Sequence, residues 1–183
     1  NELPCRVAET HWRIAATHEK LGQYTEAAEE FEAAAASYDE TADKIPHHKE
    51  FYNDYSNYMK ALSEIEKAKH HNLERRYDEV REHYERAAEL HNATDRWGYL
   101  SKYYSAWAKL AEAEALSHED ETEEAKSLFR GIADLFEESK DVIEAQLGEI
   151  HVRDEREMAR SLIEASELRS GYCRGRVTLE GAR

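Results

Sequence analysis

Three stretches of this chain, about residues 12–38, 65–91 and 110–136, can be laid over one another without a gap. Down the columns stand Trp12, Ile65 and Leu110; Ala15, Ala68 and Ala113; Tyr24, Tyr77 and Thr122; Ala27, Val80 and Ala125; Phe31, Tyr84 and Phe129; Ala34, Ala87 and Ile132; Ala35, Ala88 and Ala133. Small residues recur on small and large on large. Self-similarity of this kind marks stacked helical pairs, because no single pair can bury its apolar stripe alone.

The spacing inside the stretches is that of helices. Ala27, Phe31, Ala34, Ala35 and Tyr38 form one stripe, and Phe51, Tyr55, Tyr58, Leu62 and Ile65 recur at steps of three and four. Seven Gly and two Pro in 183 residues leave little punctuation for strands and hairpins. About seven helices are predicted, near residues 5–20, 25–43, 47–72, 75–90, 95–117, 119–138 and 139–168. Gly22 suits a left-handed helix C-terminus, Pro46 a first helical turn, and Thr94 the N-cap of the fifth helix. The fifth helix carries two apolar stripes, one through Trp97, Leu100, Tyr104 and Trp107. The fold class expected is all-α, an array of antiparallel helical hairpins. The expected organisation is one domain over 1–170, with units at about 8–43, 47–92 and 95–138, a C-terminal helix over 139–170, and a flexible tail over 171–183.

Gly22-Gln23-Tyr24-Thr25-Glu26-Ala27, followed by Phe31 and Ala34, resembles the tetratricopeptide repeat at the turn into its second helix. The second stretch keeps Tyr77, Tyr84 and Ala87 but has Arg75 at the glycine and Val80 at the alanine. The third keeps Ala125 and Phe129 but has Asp120 and Thr122. The stretches are offset by 53 and 45 residues, where a usual unit has ~34. The pattern is therefore most similar to long-helix variants such as the soluble NSF attachment proteins. The resemblance implies a groove lined by the first helix of each hairpin. Its positions would be Glu9, Trp12, Ala16, Glu19 and Lys20, then Leu62, Ile65, Lys69 and Asn72, then Trp107, Leu110, Glu114 and Ser117. Of these, Trp12, Lys20, Ile65, Lys69, Trp107, Leu110 and Glu114, together with Tyr103, are the candidate partner-binding residues.

A formal charge of −15 argues against nucleic acid and against an anionic membrane surface. No apolar run approaches the ~18 residues of a membrane span, and no signal-like stretch heads the sequence as given. Cys5 and Cys173 lack metal-ligand spacing, which suggests a reducing, cytoplasmic setting. No His-Glu-x-x-His helix, phosphate-binding glycine loop or Gly-x-Ser-x-Gly elbow is present, and none of the ten His follows a Glu by three residues. His18, His70, His71, His91 and His118 fall at predicted helix C-termini, where an imidazolium meets the negative end of the dipole.

The expectation is a non-catalytic interaction module without metal or cofactor, binding a basic or amphipathic protein segment. The alternatives are self-association through the first or last helix, and a small-molecule pocket among the tyrosines of the third and fifth helices. The column of small residues makes a first testable statement. Ala34→Leu and Ala87→Leu each lower the urea midpoint by an amount worth ~1–3 kcal/mol through overpacking.

Overall fold

The computed structural model describes residues 3–183. Among these the secondary structure is helical, with seven α-helices and three short 3-10 turns and no strand. The chain divides into two compact units, one up to Gly98 and one from Tyr99, where the sequence reading expected a single domain. The first holds α1 (Leu3–Lys20), α2 (Tyr24–Lys44), α3 (Lys49–Leu73) and α4 (Tyr77–Asn92). The second holds α5 (Ser101–His118), α6 (Thr122–Gln146) and α7 (Arg153–Ala182). Within each unit consecutive helices pack on one another in chain order.

The repeat columns fall where the packing is tightest. Ala15, Ala68, Ala113, Ala27, Ala125, Ala34 and Ala87 have no exposed surface, and Phe31, Tyr84 and Phe129 are buried beside them. An alanine at a crossing lets two helix axes approach to the lower end of the ~8–10 Å range, while the aromatic one turn away fills the splayed region.

The three hairpin turns are copies at atomic detail. Gly22, Arg75 and Asp120 occupy one column, and all three are left-handed, at φ 71°, 56° and 63°. Each donates its N–H to the carbonyl three residues back: Glu19 at 3.0 Å, Asn72 at 3.1 Å and Ser117 at 3.3 Å. The next residue donates five back, Gln23 to His18, Arg76 to His71 and Glu121 to Leu116, at 2.9–3.1 Å. This is the Schellman closure. The column mates Tyr24, Tyr77 and Thr122 are then the first residues of α2, α4 and α6. The turn survives without glycine because these paired bonds hold the backbone against the steric cost of a left-handed Cβ.

Several boundaries differ from expectation. Pro46 heads a 3-10 turn over Pro46–His48 rather than α3 itself. The fifth helix starts at Ser101, so Thr94 does not cap it. Instead Thr94 donates its hydroxyl to His91 O at 2.7 Å and accepts the Trp97 N–H at 3.1 Å, which folds the connector back on α4. The largest correction concerns the end of the chain. Residues 139–146, expected to open the last helix, continue α6; the break lies at a 3-10 turn over Leu147–Glu149. Val152 is extended, and Asp154 and Glu155 sit in the first turn of α7, where carboxylates complement the helix dipole. Residues 171–182, expected as a flexible tail, are the last turns of α7.

The C-terminal half of α7 is also an unrecognised copy of α3. Ser56, Tyr58, Met59, Ala61, Ile65, Glu66, Ala68 and Lys69 are matched without gaps by Ser170, Tyr172, Cys173, Gly175, Leu179, Glu180, Ala182 and Arg183. Ser56 with Ser170, Met59 with Cys173, and Glu66 with Glu180 are buried in both helices. Lys60 reaches Asp39 of α2 at 3.1 Å, and its counterpart Arg174 reaches Glu137 of α6 at 3.6 Å. The α6–α7 pair thus repeats the α2–α3 contact.

Left-handed conformation at a non-glycine residue generates the next prediction. The ~1–2 kcal/mol cost of a left-handed Cβ exceeds the extra chain entropy of glycine. Arg75→Gly therefore raises the urea midpoint by about 0.5–1 kcal/mol equivalent, and Gly22→Ala lowers it although nothing lies within 4 Å of the added Cβ.

Candidate functional site

In the first unit, α1 and α3 lie side by side, each carrying the residues expected to line a groove. Trp12 meets Tyr58 and Tyr55 edge-on, with ring centroids 5.8 and 6.2 Å apart. Tyr55 also touches Tyr38 at 5.2 Å and Phe51 at 5.1 Å. From the connector after α4, Trp97 stacks flat on Tyr58 at 4.1 Å, and Arg96 donates to the Tyr55 hydroxyl at 2.8 Å while lying 4.7 Å over the Trp97 ring. Trp97 and Tyr58 are therefore core. Trp12, Ala16, Tyr55 and Leu62 remain half-buried, and Glu9 beside them is exposed. They form an apolar strip along two adjacent helices.

At the other end of the strip three charged groups come together. Lys69 donates to Glu66 Oε1 at 2.8 Å and lies 3.5 Å from Glu19 Oε2. Glu66 has no exposed surface, and its Oε2 meets no donor. The two carboxyl groups share the Lys69 ammonium, and the buried one, Glu66, is the harder to ionise. Burial, then its contact with Glu19, pushes its pKa up to about 8. Glu19 moves the other way: burial opposes its ionisation, but the Glu66 hydrogen bond and the Lys69 ammonium outweigh it. One ammonium thus bridges two carboxyl groups between α1 and α3.

The histidines are less uniform than their sequence positions imply. All five stand at helix C-termini as expected. His91, however, is buried against Tyr58, and desolvation pushes its pKa down to about 3, so it is neutral and adds nothing to the dipole. His71 stacks on His83 at 5.2 Å, and His83 lies 2.6 Å from Glu64, which also meets Lys67 and Arg86. A groove of about 430 Å³ opens beside them, lined by Thr25, Ala28, Glu29, Glu32, Lys67 and His71 among others. Among the described residues no group of three His, Cys, Asp or Glu side chains is arranged to hold a metal ion.

In the second unit Tyr103 and Trp107 pack edge-on against Phe136 of α6, at 6.0 and 5.9 Å. Arg169 of α7 covers the Trp107 ring at 4.7 Å. Glu114 accepts two bonds from Arg176 at 2.7 Å and one from the Tyr172 hydroxyl at 2.5 Å. Ser117 donates to buried Glu180 at 2.6 Å and accepts from Arg176 at 2.8 Å. The guanidinium and serine contacts hold Glu180 below the usual carboxylate range, Ser117 contributing most. The groove positions expected on α5 are thus engaged by α7.

The eight candidate residues separate accordingly. Ile65, Tyr103 and Leu110 are buried; Glu114 and Lys69 are held by ion pairs; Trp12 and Trp107 are half-buried; Lys20 is exposed. Sequence reasoning missed Glu66, Glu180 and Arg176. The signal was available for Glu66, a carboxylate placed between Leu62, Ile65 and Lys69 on a helix whose neighbours are apolar. Compared with known protein families, curated proteins and solved structures, the chain matches none.

The Glu66 proton makes a measurable pH dependence. Between the ordinary glutamate pKa and about 8 the folded protein holds a proton that the unfolded chain lacks, so this contribution is complete at low pH and is lost as pH rises through that window. Glu66→Gln keeps an acceptor for Lys69 without the titration. Its thermal midpoint relative to the parent chain is unchanged near pH 5 and higher at pH 9, by the equivalent of about 1–3 kcal/mol.

Proposed function

We propose that the chain is a non-catalytic interaction module of the tetratricopeptide-like, long-helix kind, and that the α1–α3 strip binds a basic or amphipathic protein segment. The observation that carries this reading is the half-buried row Trp12, Ala16, Tyr55 and Leu62 on two adjacent helices, edged by Glu9 and Glu19. A half-buried tryptophan held edge-on by two tyrosines is a rigid anchor with little conformational entropy left to lose. The carboxylates beside it select against acidic segments, and the charge of −15 steers cationic ones at long range.

The reading narrows the residues that carry binding. Trp12, Lys20 and Lys69 stay as contacts, Lys69 through its balance with Glu19. Ile65, Tyr103 and Leu110 act by supporting the helices beneath. Trp107 and Glu114 serve the α5–α7 contact. A cytoplasmic setting belongs to the same reading and is supported by the low cysteine content; among the described residues no helix is long and apolar enough to cross a membrane.

The test is a fluorescence titration with basic amphipathic helical peptides. Trp12→Ala weakens binding about tenfold or more, ~1.4 kcal/mol, with the circular dichroism unchanged. Affinity also falls as salt rises from 0.1 to 1 M, over which the Debye length drops from ~10 to ~3 Å. Equal affinity for acidic peptides, or a flat salt response, is incompatible with the proposal.

A further inference from the structure

Two carboxyl groups and one ammonium close one end of the α1–α3 strip, and the carboxyls are unlike. Glu66 is sealed, its side chain 1% exposed and its Oε2 without a donor; Glu19 is open, with its side chain 41% exposed. Lys69 makes a short bond to Glu66, 2.8 Å, and a long one to Glu19, 3.5 Å. One ammonium cannot neutralise two carboxylates. With a proton on Glu66 the three groups sum to zero; without it an excess negative charge stands beside an oxygen that water does not reach, which is costly.

The surroundings decide where a further cation can enter. On α1, Lys20 is exposed next to Glu19 and draws that carboxyl towards its ionised form, while His18 turns to Gln23. On α2, the Tyr24 ring lies 5.8 Å from the Lys69 ammonium. On α3, His70 reaches Glu74. On α4, His83 and Arg86 are held by Glu64. The accessible carboxylate of the cluster is therefore Glu19, at the end of the strip.

We propose that this end of the strip is a seat for one Lys or Arg side chain of the partner, taken up in exchange for the proton of Glu66. The inference rests on the α1–α3 reading and gives the chemistry of one contact within it. The incoming cation pairs with Glu19, Lys69 is left to Glu66 alone, and Glu66 releases its proton to solvent. The cluster is neutral before and after, because one positive charge arrives as another leaves. In the free protein, burial and then Glu19 keep the Glu66 pKa at about 8, and a cation on Glu19 cancels the second of these causes. The bound form thus has the lower pKa, so affinity rises with pH from the ordinary glutamate range to about 8 and is flat above it.

Geometry also spaces the partner's side chains. α1 and α3 run the same way, with Trp12 beside Tyr55 and Tyr58, and Glu19 beside Lys69. Trp12 and Glu19 are seven residues apart, two turns or ~10.5 Å along one face of α1. The partner helix carries its apolar anchor and its cation at that same separation.

The probe is an Ala- and Gln-based helical peptide of about 18 residues with a stripe of Leu and one Arg set two turns from the central Leu. Its control has citrulline, the uncharged isostere, in place of Arg. Calorimetric titration of the full chain in two buffers of different ionisation enthalpy reads the protons exchanged. At pH 7 binding releases about half a proton or more, and affinity rises roughly tenfold from about pH 6 to about pH 8.5. Glu66→Gln abolishes the release and binds at every pH as the parent does near pH 6. With Glu19→Gln, or with the citrulline peptide, affinity at the higher pH falls about tenfold and no proton is released. Both variants keep the parent's circular dichroism. Binding that Trp12→Ala weakens but that releases no proton, or releases as much from Glu66→Gln, overturns the inference and leaves the α1–α3 reading standing. Equal affinity for the citrulline peptide overturns the inference as well. No saturable binding of the Arg peptide up to about 1 mM, or binding indifferent to Trp12→Ala, overturns both.

Discussion

Each hairpin of this protein turns on one residue held in the left-handed region by a paired set of backbone bonds. Because Gly22, Arg75 and Asp120 close their turns with the same two carbonyls, α2, α4 and α6 all start at the same point in the repeat. That common start fixes the register of every pair. Register brings alanine to alanine at the crossings, and the crossings allow the aromatic of the following turn to be buried. A shift of one residue in any turn rotates the second helix by ~100° and carries its stripe away from its partner. The turn is thus a small feature on which the whole core rests.

A second regularity joins the first helices of neighbouring pairs, and it is polar. Between α1 and α3 the contact is Glu19, Glu66 and Lys69; between α5 and α7 it is Ser117, Glu180, Arg176 and Arg183. Both place a buried glutamate beside a cation three residues on, Glu66 with Lys69 and Glu180 with Arg183. The electrostatics diverge. Glu180 receives hydroxyl and guanidinium donors and stays ionised, whereas Glu66 faces another carboxylate and keeps its proton. One geometry therefore gives a clamp that weakens only as pH falls below the ordinary glutamate range in one unit, and one that weakens as pH rises in the other. A buried charge pair seldom adds much net stability, but an unsatisfied one is costly, so such contacts select one alignment of the helices over others.

The proposed binding strip is what these contacts leave uncovered. The α1–α3 strip keeps Trp12 accessible because the aromatic rings around it are themselves braced, by Trp97 and Arg96 from the connector. On α5 the corresponding row is engaged by α7, with Glu114 bonded to Arg176 and Trp107 beneath Arg169.

Much of this was legible in the residues. The helical period, the small-on-small columns and Gly22 determined the hairpins, since each is a local or near-local property of spacing and backbone freedom. The left-handed turns at Arg75 and Asp120 could be found only through their column, because neither residue type demands φ > 0. The last helix was misplaced because its apolar spacing continues across Gly148 and Ile150, and periodicity does not distinguish a kinked helix from two. Its likeness to α3 was hidden by substitutions at every position but the serine, tyrosine, glutamate and final alanine, and it emerged from burial and the Lys60–Asp39 and Arg174–Glu137 pairs. Which aromatics are core and which glutamate keeps a proton depend on neighbours far apart in sequence. Those were decided by tertiary structure, because solvent exclusion and pairwise charge are properties of the assembled surface and not of the chain that makes it.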